Sequence, residues 1–252
     1  MDILGIDIGG TGIKGAPVNT YTGSLKQERV RLLTPHPATP AKVAKLVHKI
    51  AQHFAWRGAI GVGFPGVVQK GRVLTAANLD KRWIGKDAES LFREATGCAV
   101  TVINDADAAG LAEMRFGAGR GHQGKVLLLT LGTGIGSALF LNGKLVSNTE
   151  FGHLEIRGKI AERRASDRVR QRKKLSWKKW AGRVQEYLDH LSLLLSPDLI
   201  ILGGGAVKDY KKFSRYLELP AAIKPAESGN LAGIVGAALA AQAAHRNHRP
   251  LR

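Results

Sequence analysis

Residues Asp7-Ile8-Gly9-Gly10-Thr11-Gly12-Ile13-Lys14 restrict the fold of this 252-residue chain more than any other stretch. Ile3 to Ile8 reads as a buried strand, apolar except for Gly5 and Asp7. It runs into a glycine-rich turn. Gly9, Gly10 and Gly12 let backbone N–H groups approach a ligand closely, and successive N–H groups make an anion nest suited to phosphate. Thr11 adds a hydroxyl donor and Lys14 a cation. Asp7, at the strand's end, is placed to contact a phosphate-bound Mg²⁺, directly or through water. The competing reading is a tight hairpin with a solvated aspartate. Ile13 to Val18 continues as a second strand, not a helix, so the turn fits neither the Walker loop nor the dinucleotide fingerprint.

Further along, Gln27–Leu33 reads as a third strand, and Thr39 as the N-cap of a helix with Pro40 at its first position. Val43, Leu46, Val47, Ile50, Ala51 and Phe54 form that helix's apolar face. Ala59–Phe64 is a buried strand and residues 71–74 an edge strand. A helix spans Asp87–Thr96 and stops at Gly97. Ala99–Ile103 is a strand, and Asn104-Asp105 opens a helix to about Phe116. The pattern then repeats. Val126–Leu131 is an apolar strand ending in a second glycine turn, Gly132-Thr133-Gly134-Ile135-Gly136. Ala138–Leu141 returns from it, and Asn142-Gly143 signals a hairpin. Trp177–Leu195 is a helix, Leu199–Leu202 a strand closed by Gly203-Gly204-Gly205, and Leu231–Ala244 a final alanine-rich helix. A frayed basic tail is expected from His245. Two similar halves point to a duplicated α/β domain, with its glycine turns at the strand ends where such sheets bind ligands. The expected boundary lies at 104/105: a small lobe over 1–104, with helix 231–245 packing back on it, and a larger lobe over 105–252.

Two polar clusters carry chemistry. Asp105 sits at a strand end and helix start, where a carboxylate can accept the proton of a substrate hydroxyl as phosphate is transferred to it. An ordinary helix cap is the alternative. Asn104 beside it can orient a sugar by hydrogen bonds. Glu150, His153 and Glu155 suit sugar hydroxyls, which both donate and accept. A solvated loop is the alternative there.

Five segments now stand in a telling order: Leu4-Gly-Ile-Asp-Ile-Gly-Gly-Thr-Gly-Ile-Lys14, Val102-Ile-Asn-Asp-Ala-Asp-Ala-Ala109, Leu131-Gly-Thr-Gly-Ile-Gly136, Phe151-Gly-His153 and Leu202-Gly-Gly-Gly205. Together they resemble the ROK family of sugar kinases over most of the chain. The resemblance implies an actin-like ATPase (ribonuclease H-like) duplicated fold, two lobes around a central cleft. It makes Asp105 the catalytic base, and Asn104, Glu150, His153 and Glu155 glucose ligands. Gly9, Gly10, Thr11, Gly12 and Lys14, with Thr133, Gly134, Gly136 and Gly204, become phosphate contacts, and Asp7 the Mg²⁺ contact. One departure is large. Most members follow the Gly-His with a cysteine-rich zinc motif ending in a sugar-binding Glu. That segment is absent here, and Glu155 is taken as its substitute. No zinc is expected. The shortened form resembles the polyphosphate glucokinase branch of the family, as does Thr75–Gly85. There Asn78 is assigned to the sugar, and Lys81 and Arg82 to the phosphate chain. The implied reaction moves a phosphoryl group from inorganic polyphosphate, with ATP as a further donor, to the 6-hydroxyl of glucose. The resemblance implies a homodimer; a cytoplasmic location is expected from the single cysteine and from the lack of a membrane-length apolar run or signal peptide.

Charge supports a polyanionic partner independently. Lys and Arg number 38 against 20 acids, a net +18. Residues 157–183 alone carry twelve cations and two acids, +10 of that total. Arg163, Arg164, Arg168, Arg170, Arg172, Lys173 and Lys174 are the expected polyphosphate track, against the alternative of a solvated charge run. No apolar run reaches the ~18 residues of a membrane span, and the chain opens directly in a strand, so neither membrane partner nor signal peptide is expected. A lone Cys98 excludes internal disulfides. Nucleic acid is not the expected partner. Two other readings remain: an ATP-dependent ROK hexokinase with incidental basicity, and a non-catalytic ROK-type regulator that binds DNA.

Overall fold

The computed structural model describes residues 1–76 and 79–247. Asn78 lies outside the described residues. The chain divides into two compact units: Met1–Ala112 with the chain from Asn230 onward, and Glu113–Gly229. The division falls inside a helix, eight residues beyond the 104/105 boundary expected from the sequence.

In the first unit, β1 (Asp2–Ile8) and β2 (Gly12–Asn19) pair antiparallel across the glycine turn. β3 (Val30–Leu33) joins β2 antiparallel and is shorter than the strand expected from Gln27. α1 (Pro40–His53) starts where expected: the Thr39 hydroxyl accepts the Lys42 N–H, and Val43, Val47, Ile50 and Ala51 are buried. β4 (Ile60–Phe64) pairs parallel with β1. The expected edge strand near 71–74 is instead half of a minute hairpin, β5 (Val68–Gln69) with β6 (Arg72–Val73), in a sheet of its own. It stays outside the main sheet, whose edges are β3 and β7. α2 (Ala88–Thr96) is capped by Asp87 and closed by Gly97. β7 (Val100–Asn104) pairs parallel with β4, and α3 (Asp105–Phe116) follows at once. The sheet order is β3-β2-β1-β4-β7.

The C-terminal helix, Ala232–Asn247, covers this sheet. It remains helical past the His245 at which the tail was expected. The approach is close: a Cβ at Gly61 would stand 1.8 Å from the Ala237 carbonyl oxygen. Buried Gln242 donates to Thr20 Oγ1 at 2.7 Å, so its amide is not stranded in the core.

The second unit repeats the order. β8 (Lys125–Leu131) and β9 (Ile135–Leu141) pair antiparallel across the second glycine turn. Asn142 and Gly143, both at positive φ, lead into β10 (Lys144–Val146). A small hairpin follows, β11 (Glu155–Ile156) with β12 (Lys159–Ile160), then α4 (Glu162–Ala165) and α5 (Asp167–Arg172). α6 (Trp177–Leu195) has the bounds and face read from the sequence, burying Trp180, Val184, Leu188 and Leu191 against Leu127, Leu129 and Leu202. The Trp180 indole N–H donates to the Ala165 carbonyl at 2.9 Å, which removes the polar cost of burying it. β13 (Leu199–Gly203), α7 (Tyr210–Phe213) and β14 (Ala222–Pro225) complete the unit. Its sheet runs β10-β9-β8-β13-β14, with the same antiparallel and parallel relations as the first. This is the duplicated actin-like α/β architecture.

Candidate active site

The first glycine turn is held by two bonds at Gly9. Its N–H donates to the Gly12 carbonyl at 3.0 Å, and its own carbonyl accepts from the Thr34 hydroxyl at 2.6 Å. Gly10 and Thr11 stand exposed at the tip. Asp7 and Lys14 face each other in register across the hairpin, Nζ to Oδ2 3.5 Å. Burial raises the Asp7 pKa above the usual carboxylate value, and Lys14 opposes the shift by its charge and hydrogen bond. Sequence reasoning missed Arg31 on β3, which lies opposite Lys14.

At the end of β7, buried Asn104 is the true cap of α3. Its Oδ1 accepts from the Ala106 and Asp107 N–H groups at 2.8 and 3.0 Å, and its Nδ2 donates to the Gly66 carbonyl at 3.1 Å. That leaves one amide proton for a sugar, a narrower role than the sequence suggested. With Asn104 serving as the cap, Asp105 need not be one. Asp105 is half-buried in the first turn of α3, its Oδ1 accepting from the Ala106 N–H at 2.8 Å. The buried cap thus holds the half-buried carboxylate at a fixed strand end.

The second glycine turn lies in the other unit. Gly132 N–H donates to the Gly134 carbonyl at 3.0 Å, and Gly136 N–H to Thr130 Oγ1 at 3.1 Å. Gly204, at φ 79, packs directly on the Leu131 backbone. The Arg168 N–H donates to the Gly132 carbonyl at 3.0 Å, which brings the start of α5 to the same turn.

Glu150 and His153 form a pair, Nδ1 to Oε2 3.3 Å. Burial raises the Glu150 pKa; His153 opposes this and the nearby Glu162 charge adds to it. Glu162 was counted from the sequence only as one of two acids in a basic run. Yet its Oε2 accepts from the Ile135 N–H at 3.4 Å and sits where a Cβ at Gly134 would come within 2.4 Å. Glu162 therefore lies beside both the Glu150–His153 pair and the second glycine turn. Glu155 is exposed and lines a different pocket of about 690 Å³ with Lys159, Arg163, Arg172 and Lys173. The β11–β12 hairpin reverses the chain after Glu155 and returns it at Glu162.

The expected polyphosphate track splits in two. Arg164 is ion-paired with Glu186, which Arg157 also engages, and Arg170 with Asp167 at 2.7 Å. Arg82 is held bidentately by Asp80, at 2.8 Å for each contact, and this holds Asp80 at about 2. Arg82, Arg164 and Arg170, all three expected in the track, thus pair with the protein's own carboxylates in this structure. Arg163, Arg168, Arg172, Lys173 and Lys174 are exposed and make no ion pair among the described residues. Lys81 is likewise exposed. No group of three or more His, Cys, Asp or Glu able to hold a metal occurs among the described residues, and none of their helices is long and apolar enough to cross a membrane.

Comparison with known proteins agrees with this geometry. The ROK family model matches residues 3–168. The polyphosphate glucokinase of Mycobacterium tuberculosis is 51% identical over 241 residues, covering 95% of this chain and 91% of that protein. The crystal structure of the inorganic polyphosphate/ATP-glucomannokinase of Arthrobacter sp. strain KM superposes with a TM-score of 0.93 at 48% identity, covering 97% of this chain and 99% of the other. A ROK family glucokinase from Streptomyces griseus, in complex with glucose and AMPPNP, superposes with a TM-score of 0.83 at 26% identity, covering 96% and 100%. Two glycine turns on duplicated sheets, a capped strand-end aspartate, the Glu150–His153 pair and these matches lead to one conclusion: this chain belongs to the ROK family.

Proposed function

We infer that this chain is a polyphosphate glucokinase, transferring a phosphoryl group from inorganic polyphosphate to the 6-hydroxyl of glucose. The observation that carries the donor assignment is the cationic pocket of about 690 Å³ formed by Lys159, Arg163, Arg172 and Lys173. A polymeric phosphate carries about one charge per unit and is matched by several separate cations better than by a single strong site. The names of the Mycobacterium and Arthrobacter relatives support the same donor, and the latter supports ATP as a second one.

Each group has a role in this reading. Asp105 accepts the proton of the attacking hydroxyl. Glu150, His153 and Glu162 hold the sugar's other hydroxyls, and Asn104 contributes its remaining amide proton. The turns at 9–12 and 132–136, with Thr11 and Lys14, stabilise charge on the phosphoryl group in flight. A phosphate-bound Mg²⁺ suits Asp7, because such an ion takes one or two protein carboxylates and completes its shell with phosphates and water. When bound, it neutralises charge on the phosphate oxygens. A homodimer, as the family resemblance implies, and a cytoplasmic location complete the proposal.

The test is formation of glucose 6-phosphate with polyphosphate and ATP in parallel, using glucose and mannose as acceptors. Product from polyphosphate and glucose is expected. Product from ATP alone would move the ATP-dependent reading ahead.

A further inference from the structure

Across β1, β2 and β3, Asp7 faces Lys14 and Lys14 faces Arg31. These are successive cross-strand partners, so the three side chains share one face of the sheet, beside the first glycine turn. Asp7 engages Lys14 at 3.5 Å. Arg31 is left over: its guanidinium has no hydrogen bond or ion pair among the described residues. Two cations directly opposite each other oppose strand pairing. An exposed arginine is free to swing into water, yet Arg31 lies along the sheet over Gly12. The place a Gly12 Cβ would occupy is 2.8 Å from Arg31 Nε and 3.2 Å from Nη2. Gly12 ends the turn and sits two residues before Lys14, on the same face. The missing side chain at 12 thus makes the room in which the guanidinium rests at the turn's mouth. Next to it, the backbone N–H groups of exposed Gly10 and Thr11 carry no protein partner among the described residues.

We propose that Arg31 is a ligand of the donor's phosphate chain at the first glycine turn, gripping phosphoryl oxygens that the turn's N–H groups and Lys14 also approach. This rests on the reading of that turn as phosphate-binding. Lys14 is a point charge already shared with Asp7. A guanidinium offers paired N–H donors in one plane, matched to two oxygens of a phosphoryl group. A bound anion would also remove the repulsion between Lys14 and Arg31, so binding and local stability are coupled.

The test titrates the full chain with inorganic tripolyphosphate by calorimetry, and measures steady-state rates with long polyphosphate and glucose. The variants are Arg31→Met, which keeps the apolar stem, Arg31→Lys, and Lys14→Met; thermal midpoints are read in parallel. Loss of a charge-assisted pair should weaken tripolyphosphate about 10- to 100-fold in Arg31→Met. The polyphosphate KM should rise with it and the glucose KM should stay put. Arg31→Lys should recover only part of the affinity. If Arg31→Met binds tripolyphosphate within about twofold of the parent while Lys14→Met binds it poorly, the turn holds phosphate without Arg31 and the proposal fails. A lowered midpoint with affinity intact makes Arg31 a strut, which also overturns it. If neither variant loses affinity, the phosphate reading of the turn is itself wrong.

Discussion

The Arg170 guanidinium lies 3.8 Å from the centroid of the Trp177 ring, while its Nε donates to Asp167 Oδ1 at 2.7 Å. Trp177 in turn stacks on Phe213 and meets Trp180 edge-on, in the core of the second unit. A cation counted toward ligand binding in the sequence is therefore part of the protein's own packing.

Arg170→Ser should cost about 1–3 kcal/mol of stability through the lost cation–π and charged hydrogen bond, with polyphosphate KM unchanged well below the melting range. Combined Arg163→Ser, Arg172→Ser and Lys173→Ser should do the opposite, raising that KM with little effect on melting. Each exposed contact is worth at most about 1 kcal/mol, but the three act together. The triple variant should also show a shallower dependence of binding on salt, by analogy with counterion release from nucleic acids. Equal effects on polyphosphate and ATP would make the segment an ordinary solvated face.

Asp105→Asn keeps the shape of the α3 start, because Asn104 is the cap. It removes the proton acceptor, so kcat should fall by ~10²–10⁴ with the glucose affinity largely kept. Activity within a few-fold of the parent chain would take the base role away from Asp105.

Glu162→Gln and Glu155→Gln separate the two candidate sugar glutamates. Glu162 lies by the Glu150–His153 pair, so its loss should raise the glucose KM by about tenfold or more. Glu155 sits among cations, so its loss should leave the glucose KM alone and lower the polyphosphate KM by removing a like charge. The reverse pattern in a KM comparison would return Glu155 to the sugar.

Asp7 gives a pH signature. Burial raises its folded pKa despite Lys14. The folded chain therefore holds this proton more tightly than the unfolded one. The contribution favours folding fully below the ordinary value near 4, and is lost as pH rises through the folded pKa. Asp7→Asn should melt higher than the parent at pH 7–8, with the difference shrinking toward pH 4. A lower midpoint at pH 7–8 would show that the Lys14 attraction outweighs desolvation.

Local signals made most of the fold legible. The Thr39 hydroxyl and Pro40 start a helix whatever surrounds them, Gly97 stops one, and the period of Trp180, Val184, Leu188 and Leu191 survives in α6 because burial acts on a face of fixed pitch. The strand–turn–strand signals at 3–18 and 126–141 worked for the same reason. Minor strands failed because pairing in a two-residue hairpin depends on what lies beside it, and residues 68–73 look no different from an edge strand. The glycine turns and the strand end at Asn104-Asp105 were legible because their placement depends on adjacent residues.

By itself, the sequence determined the duplicated sheets, the two glycine turns, the Asn104-Asp105 step at the end of β7 and the excess of positive charge. Only the tertiary structure decided which charges are available. Glu186, 29 residues beyond Arg157 and 22 beyond Arg164 in the chain, takes up both, and the β11–β12 reversal sets Glu162 beside the second glycine turn. Pairing across strands sets Arg31 against Lys14. The physical reason is that a charge acts over a few ångströms of space, and residue type and spacing along the chain specify that distance only inside a single helix, strand or turn.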